Sequence, residues 1–291
     1  MTARRYLQLD VFADRPGAGN PLGVVFDASD LEADAMQAYA AWANLSETIF
    51  FLPPTAAEAN YRVRIFTPRQ ELPFAGHPSV GAAWAALDSG LTQAKDGLLM
   101  QECAAGLLAI RIEQGDAARL VHVRAPRARE VETGNVHAEA LASALQGLAP
   151  GKLAPALWNN GPSWWLVELA NAAAVRKMRP DLPAIAALTT ASNAVGLAVF
   201  GRADDQDHDL AVRAYCPADG IPEDPVTGSA NASIAALLHH AGALPGTGGR
   251  YLASQGREMG RDGRVQVQVD HENEVWIGGQ VQAVIRGSVD W

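Results

Sequence analysis

One segment of this chain occurs twice. The first copy runs Arg64-Ile65-Phe66-Thr67-Pro68 and on to Leu72-Pro73-Phe74-Ala75-Gly76-His77-Pro78. The second runs Arg213-Ala214-Tyr215-Cys216-Pro217 and on to Ile221-Pro222-Glu223-Asp224-Pro225-Val226-Thr227-Gly228-Ser229-Ala230. An Ala-rich stretch at helical spacing follows each. Pro68 and Pro217 are 149 residues apart, as are Pro73 and Pro222, whereas Gly76 and Gly228 are 152 apart. A three-residue insertion in the second loop accounts for the difference. The repeated unit is a strand, a Pro-bounded loop, a glycine and a helix start. Coincidence among common residues is the bland alternative, but the constant order and offset favour duplication. Duplication predicts two similar domains, 1–117 and 118–291, with the last strand free to return to the first. Each domain then presents one helix N-terminus.

The 291 residues suffice for two modest domains, at roughly 100–200 residues each. Many short apolar runs are separated by Gly, Pro, Asn and Asp, among them Tyr6–Phe12, Leu22–Phe26, Thr48–Leu52, Leu107–Ile112, Val195–Phe200 and Val281–Ile285. Tyr61–Phe66 alternates apolar and basic residues, as a half-buried strand does. Leu31–Asn44 reads as a helix after an Asp30 N-cap, and Val80–Leu87 and Ala230–His240 read as helices too. Runs of strands with few helices suit an α+β protein rather than a doubly wound sheet.

A formal charge of −9 disfavours nucleic acid. No apolar h-region follows the basic start, and no run approaches the roughly 18 apolar residues of a membrane span, so a soluble cytoplasmic protein is expected. Two cysteines, Cys103 and Cys216, cannot build a disulfide framework or a Cys-rich zinc site, though they could pair with each other. Gly-x-Gly-x-x-Gly, His-Glu-x-x-His, Cys-x-x-Cys, Gly-x-Ser-x-Gly and a Walker loop are all absent. His239 and His240 would point about 100° apart on a helix and make a poor metal pair.

Several residues are candidates for chemistry. A glycine before a helix lets a ligand approach the backbone, and the free N–H groups of the first turn favour an anion. Gly76 and Gly228 hold such positions; the plain alternative is ordinary helix starts with His77 and Ser229 as capping residues. Glu47 lies where a helix gives way to an apolar strand, where partial desolvation suits a carboxylate to acid/base work. Taken as a lone Glu, it reads more readily as a solvated loop acid. Asp224 sits in the stiff Pro222-Glu223-Asp224-Pro225 loop, as a held acid or a simple turn residue. His77 is a donor or a satisfied structural histidine.

Together these segments resemble the PhzF-like family, named after the phenazine-biosynthesis isomerase. The resemblance rests on Asp10-Val11-Phe12, Gly19-Asn20-Pro21-Leu22, Asn44-Leu45-Ser46-Glu47-Thr48, Phe66-Thr67-Pro68 and Leu72–Pro78. It continues through Pro222–Ala230, Gln255-Gly256 and Glu258-Met259-Gly260-Arg261. It implies the diaminopimelate-epimerase-like fold: two pseudo-symmetric α+β domains, each a sheet or barrel wrapped around a central helix, with the site in the cleft between them. It implies no metal and no organic cofactor. It places the catalytic glutamate on Glu47, the histidine on His77, the supporting acid on Asp224 and the polar helix-start residue on Ser229. Asn20, Gly76 and Gly228 fall on substrate-binding positions.

Related epimerases and racemases carry a cysteine immediately before each of the two glycines. Here those positions are Ala75 and Thr227, so two-thiol racemisation is disfavoured. The expected enzyme is an isomerase moving a proton within a small anionic metabolite, with Glu47 as the mobile acid/base. An epimerase or other small-molecule enzyme on the same site, and a non-catalytic binding protein, stay open. The family resemblance also implies a homodimer.

Overall fold

The structure, a computed structural model, describes residues 3–115, 118–132, 134–203 and 207–291. The expected domain boundary at 117/118 touches residues 116 and 117, which lie outside the described residues. Contacts divide the chain into two compact units. One runs from the N-terminus to Arg124 and includes Gly278–Trp291; the other is Ala125–Ile277.

The first unit holds β1 (Ala3–Val11), β2 (Asn20–Val25), α1 (Ala33–Ala43), β3 (Glu47–Leu52), β4 (Tyr61–Phe66), β5 (Glu71–Leu72), α2 (Gly76–Asp88), β6 (Leu98–Cys103), β7 (Gly106–Gln114) and β8 (Arg119–Arg124). The second holds β9 (Arg129–Val131), α3 (Ala138–Ala144), β10 (Ala156–Asn159), β11 (Ser163–Glu168), α4 (Ala172–Lys177), α5 (Leu182–Ser192), β12 (Gly196–Arg202), β13 (Leu210–Cys216), β14 (Ile221–Asp224), α6 (Gly228–His240), β15 (Arg250–Gln255) and β16 (Gly263–Val269), and the unit boundary falls within β17 (Val275–Gly279). β18 (Val281–Asp290) then returns to pair antiparallel with β1.

The two units repeat one strand plan. In the first, the order is β18-β1-β2-β3-β4-β6-β7-β8, with β2–β3 and β4–β6 parallel and the rest antiparallel. In the second it is β9-β10-β11-β12-β13-β15-β16, with β11–β12 and β13–β15 parallel. β5 and β14 each pair antiparallel with the strand before them. α2 and α6 follow at the same place in both plans. Strands outnumber helices throughout, so the architecture is α+β, as expected.

Local chemistry explains the match. Tyr61, Val63 and Ile65 of β4 are buried while Arg62 and Arg64 are half-exposed, which is the period-two alternation read in the sequence. α1 ends on Asn44 and α5 on Asn193, both at φ 51° and ψ 35°, the left-handed cap conformation that Asn tolerates. Arg64 makes a bidentate bond to Glu71, and Arg213 makes the same bond to Glu223. Seven residues separate the first pair and ten the second. The three extra residues match a 3-10 turn, Pro217–Asp219, inserted before β14.

Ten of the thirteen residues of α2 are buried, and the helix lies against β1, β2, β3, β4, β6, β8 and β18. Its small residues, Gly76, Ser79, Gly81, Ala82, Ala83, Ala85 and Ala86, let the sheet close in on every side. α6 is equally small-residued and packs on β10, β11 and β16. The outer layers carry the larger side chains. Met36, Tyr39 and Ala40 of α1 cover Phe50 and Phe66. Val175, Ile185 and Leu188 of α4 and α5 cover Leu197, Val199, Ala211 and Tyr215.

One local expectation fails. Asp30 does not cap α1; its N-cap is Glu32, which makes no side-chain cap bond. Asp30 is taken instead by Arg4, at 2.8 Å. Among the described residues no helix is long and apolar enough to cross a membrane.

Candidate active site

α2 starts at Gly76 after Ala75, whose extended backbone (φ −148°) provides no side-chain cap. The first-turn N–H groups therefore have no capping oxygen from that residue. His77 is the second helical residue and is 6% exposed. Its Nε2 lies 3.4 Å from Oε2 of Glu47, the first residue of β3. The pair is assembled by strand register: β3 runs parallel to β2 with Glu47 opposite Leu22. The ring also donates to the carbonyl of Pro21, next to Asn20 at the start of β2. A Cβ on Gly19 would fall 2.2 Å from the Val11 carbonyl oxygen, so only glycine lets the Gly19-Asn20-Pro21 turn press onto β1. Asn20, Glu47, Gly76 and His77 thus belong to one neighbourhood of the first unit.

Burial pushes the His77 imidazole down to about 3, although its bond to Pro21 works in the other direction. At neutral pH the ring is uncharged. With one nitrogen donating to Pro21, Nε2 faces Glu47 as a lone pair. A carboxyl proton on Glu47 can be shared with that nitrogen, and catalytic hydrogen bonds are often long before substrate binds.

In the second unit α6 starts at Gly228 after Thr227, again extended and again not capping the helix with its side chain. The Thr227 hydroxyl instead donates to Asp224 Oδ2 at 2.6 Å. Asp224 ends β14 and is registered on Ala214 of β13. Gln255, fully buried at the end of β15, ties the loop together. Its Nε2 donates to the Asp224 carbonyl and to Thr227 Oγ1 at 3.0 and 2.9 Å. Its Oε1 accepts from the Thr227 N–H and from Asn231, both at 3.0 Å. Ser229 accepts the indole N–H of Trp164 at 3.1 Å, and its carbonyl accepts from Asn160 at 2.9 Å. Asp224, Gly228 and Ser229 therefore share a second neighbourhood.

The observed N-caps are Ala75 and Thr227, so His77 and Ser229 do not serve as caps. Cys103 and Cys216 lie at the ends of β6 and β13; both are buried, and no disulfide joins them. Gln255, Thr227 and Trp164 were not singled out as site residues from the sequence. Gln255-Gly256 stood in a quoted motif, but nothing in a lone glutamine announces four hydrogen bonds.

One helix start thus carries an acid–imidazole pair and the other a hydroxyl–carboxylate pair. The chain belongs to the PhzC-PhzF family, described as phenazine biosynthesis-like protein, which matches residues 9–287. It is 32% identical over 295 residues to antisense-enhancing sequence 1 of Schizosaccharomyces pombe, covering 99% of each chain. It is 34% identical over 270 residues to trans-2,3-dihydro-3-hydroxyanthranilate isomerase of Pseudomonas aeruginosa, covering 93% of this chain and 92% of that one. Among solved structures, a PhzF-family phenazine biosynthesis protein of Bacillus anthracis covers 100% of both chains at 26% identity and a TM-score of 0.86.

Proposed function

We propose that this isomerase moves a proton within a small, cyclic, carboxylate-bearing metabolite. Glu47 removes a proton from an activated carbon and returns it elsewhere on the same conjugated system. The observation that carries this reading is the Glu47–His77 pair, 3.4 Å apart with the imidazole held neutral by burial. A neutral Nε2 is an acceptor that can hold the carboxyl proton between the two transfers, so Glu47 acts as both base and acid. The first-turn N–H groups at Gly76, and those at Gly228, each suit a substrate oxyanion, favoured by the helix dipole. Asp224, fixed by Thr227, and Ser229 orient the substrate and stabilise the charge that develops. Asn20 lies beside the His77 contact and completes the binding set.

The name of the P. aeruginosa relative supports a carboxylated ring as the substrate class. No step of this scheme draws on a metal or cofactor, and each proton lost from the substrate is regained by it. The homodimer expected from the resemblance belongs to the same proposal, and sedimentation equilibrium tests it.

Trans-2,3-dihydro-3-hydroxyanthranilate is the probe substrate. Turnover by the wild type and a loss of about 10²–10⁴ in kcat for Glu47→Gln, with an unchanged melting temperature, are expected. Undiminished turnover by Glu47→Gln sinks the assignment. In D2O, the isomerase shifts the ring double bond and takes label at the new position, whereas an epimerase labels an inverted centre and leaves the double bonds where they were.

A further inference from the structure

The half-sites differ at matched positions. β3 runs parallel to β2 with Glu47 opposite Leu22, and β12 runs parallel to β11 with Gly196 opposite Trp164. Asn44 and Asn193, the two left-handed helix caps, stand three residues before Glu47 and Gly196 respectively. His77 and Ser229 are each the second residue of their helix. Leu22, Glu47 and His77 in the first unit therefore correspond to Trp164, Gly196 and Ser229 in the second. Where the first unit sets an acid against an imidazole, the second has neither.

The tryptophan ring takes the vacated space. A Cβ on Gly196 would lie 2.4 Å from Cζ3 of Trp164 and 2.5 Å from the Tyr215 carbonyl oxygen. Trp164 is 3% exposed, and its indole N–H donates to Ser229 Oγ at 3.1 Å. An indole N–H can only donate, whereas a hydroxyl has one proton and two lone pairs. The contact therefore fills an acceptor position on Ser229 and leaves its proton uncommitted. The Asn160 bond to the Ser229 carbonyl fixes the backbone from the same direction in the chain, the turn between β10 and β11.

We propose that Trp164 is a positioning residue for the reaction: its indole N–H fills one acceptor position of Ser229 and orients and polarises the hydroxyl to donate to a substrate oxygen. This rests on the assignment of Ser229 to the site. A Ser229 so polarised stabilises negative charge on the substrate and takes no proton from carbon, so proton removal stays with Glu47. Gly196 is needed because any side chain there would displace the ring.

The test is a mutant cycle of Trp164→Phe, Ser229→Ala and the double variant, assayed with trans-2,3-dihydro-3-hydroxyanthranilate. Trp164→Phe is expected to lower kcat about 10–100-fold with KM changed less than about twofold. In the Ser229→Ala background it is expected to lower kcat no further, because the group it acts through is gone. Equal loss in both backgrounds, or no loss in the wild-type background, overturns the proposal while Ser229 keeps its place in the site. Full activity of Ser229→Ala overturns the assignment of Ser229 and the proposal with it. If Trp164→Phe fails to fold, exchange of the Trp164 indole proton, assigned by triple-resonance NMR, decides instead. Exchange at least about tenfold faster in Ser229→Ala supports the bond, and equal rates overturn it.

Discussion

A histidine that is almost wholly buried and gives one ring proton to a carbonyl is costly to charge. His77 titrates near 3 in the folded chain, against 6.5 for a free imidazole. Between those values the unfolded chain holds the extra proton, so protonation favours unfolding. Stability is therefore expected to be flat above about pH 6.5 and to fall as the pH drops toward 3. The contribution to the slope approaches about 1.4 kcal/mol per pH unit inside the window. His77→Gln should remove that part of the slope, read as the difference in urea midpoint between pH 7 and pH 4. Equal pH dependence in both proteins would show that the imidazole is charged in the fold. At this scale the sequence was half legible. Glu47, His77, Asp224 and Ser229 stood in motifs whose residue types suggest acid/base work. Trp164 did not, because an apolar ring in a strand looks like core until its partner is known. The available signal was the Asn44–Asn193 spacing of 149, which sets Gly196 in the place of Glu47.

Each unit pins the strand before its helix to the short strand after it with one Arg–Glu pair. The two pairs have the same geometry and different surroundings. Arg213 and Glu223 are 7% and 13% exposed, while Arg64 and Glu71 are 24% and 34% exposed. Arg213 also donates to the carbonyls of Val175 and Met178 at the end of α4. Removing one partner of a buried pair strands the other charge, at a typical cost of about 3–5 kcal/mol, whereas exposed pairs contribute about 0–1 kcal/mol. Glu223→Gln is expected to lower stability several-fold more than Glu71→Gln in guanidinium titrations. Comparable losses would mean that the loop, not the desolvation, sets the worth of the pair. The pairing was invisible in one copy of the repeat and nearly legible in two. Arg64 and Arg213 share the 149-residue offset of Pro68 and Pro217, but their partners Glu71 and Glu223 both follow the inserted turn and so are 152 apart, which moves the insertion ahead of Pro222. Strands with apolar runs were readable from their residues. β9 is too short at three residues to carry a pattern, and β15, Arg-Tyr-Leu-Ala-Ser-Gln, mixes its polar residues among apolar ones.

The whole chain is organised by its return. β18 covers one edge of β1 over the full strand, from Ala3 opposite Asp290 to Val11 opposite Val281. Removing Val281–Trp291 is expected to raise amide exchange across β1 at least about tenfold while β12 and β13 of the second unit keep their protection. Unchanged β1 protection, followed by hydrogen–deuterium exchange, would show that β2 alone holds it. The repeat made the two-unit organisation readable, since an offset near half the chain length has few other meanings. The pairing of β1 with β18 was only permitted by the sequence, because a spacing of 270 to 287 residues leaves no local trace. That pairing reverses the order in which the units can mature on the ribosome. The unit whose residues emerge first is missing a strand until β18 is made. The roughly 150 residues of the other unit, contiguous from Ala125 to Ile277, are made in between. At about 5–20 residues per second, the early unit waits some 8–30 s with β1 uncovered, while the later one can close at once. The unit that carries Glu47 and His77 thus closes after the one that carries Asp224 and Ser229.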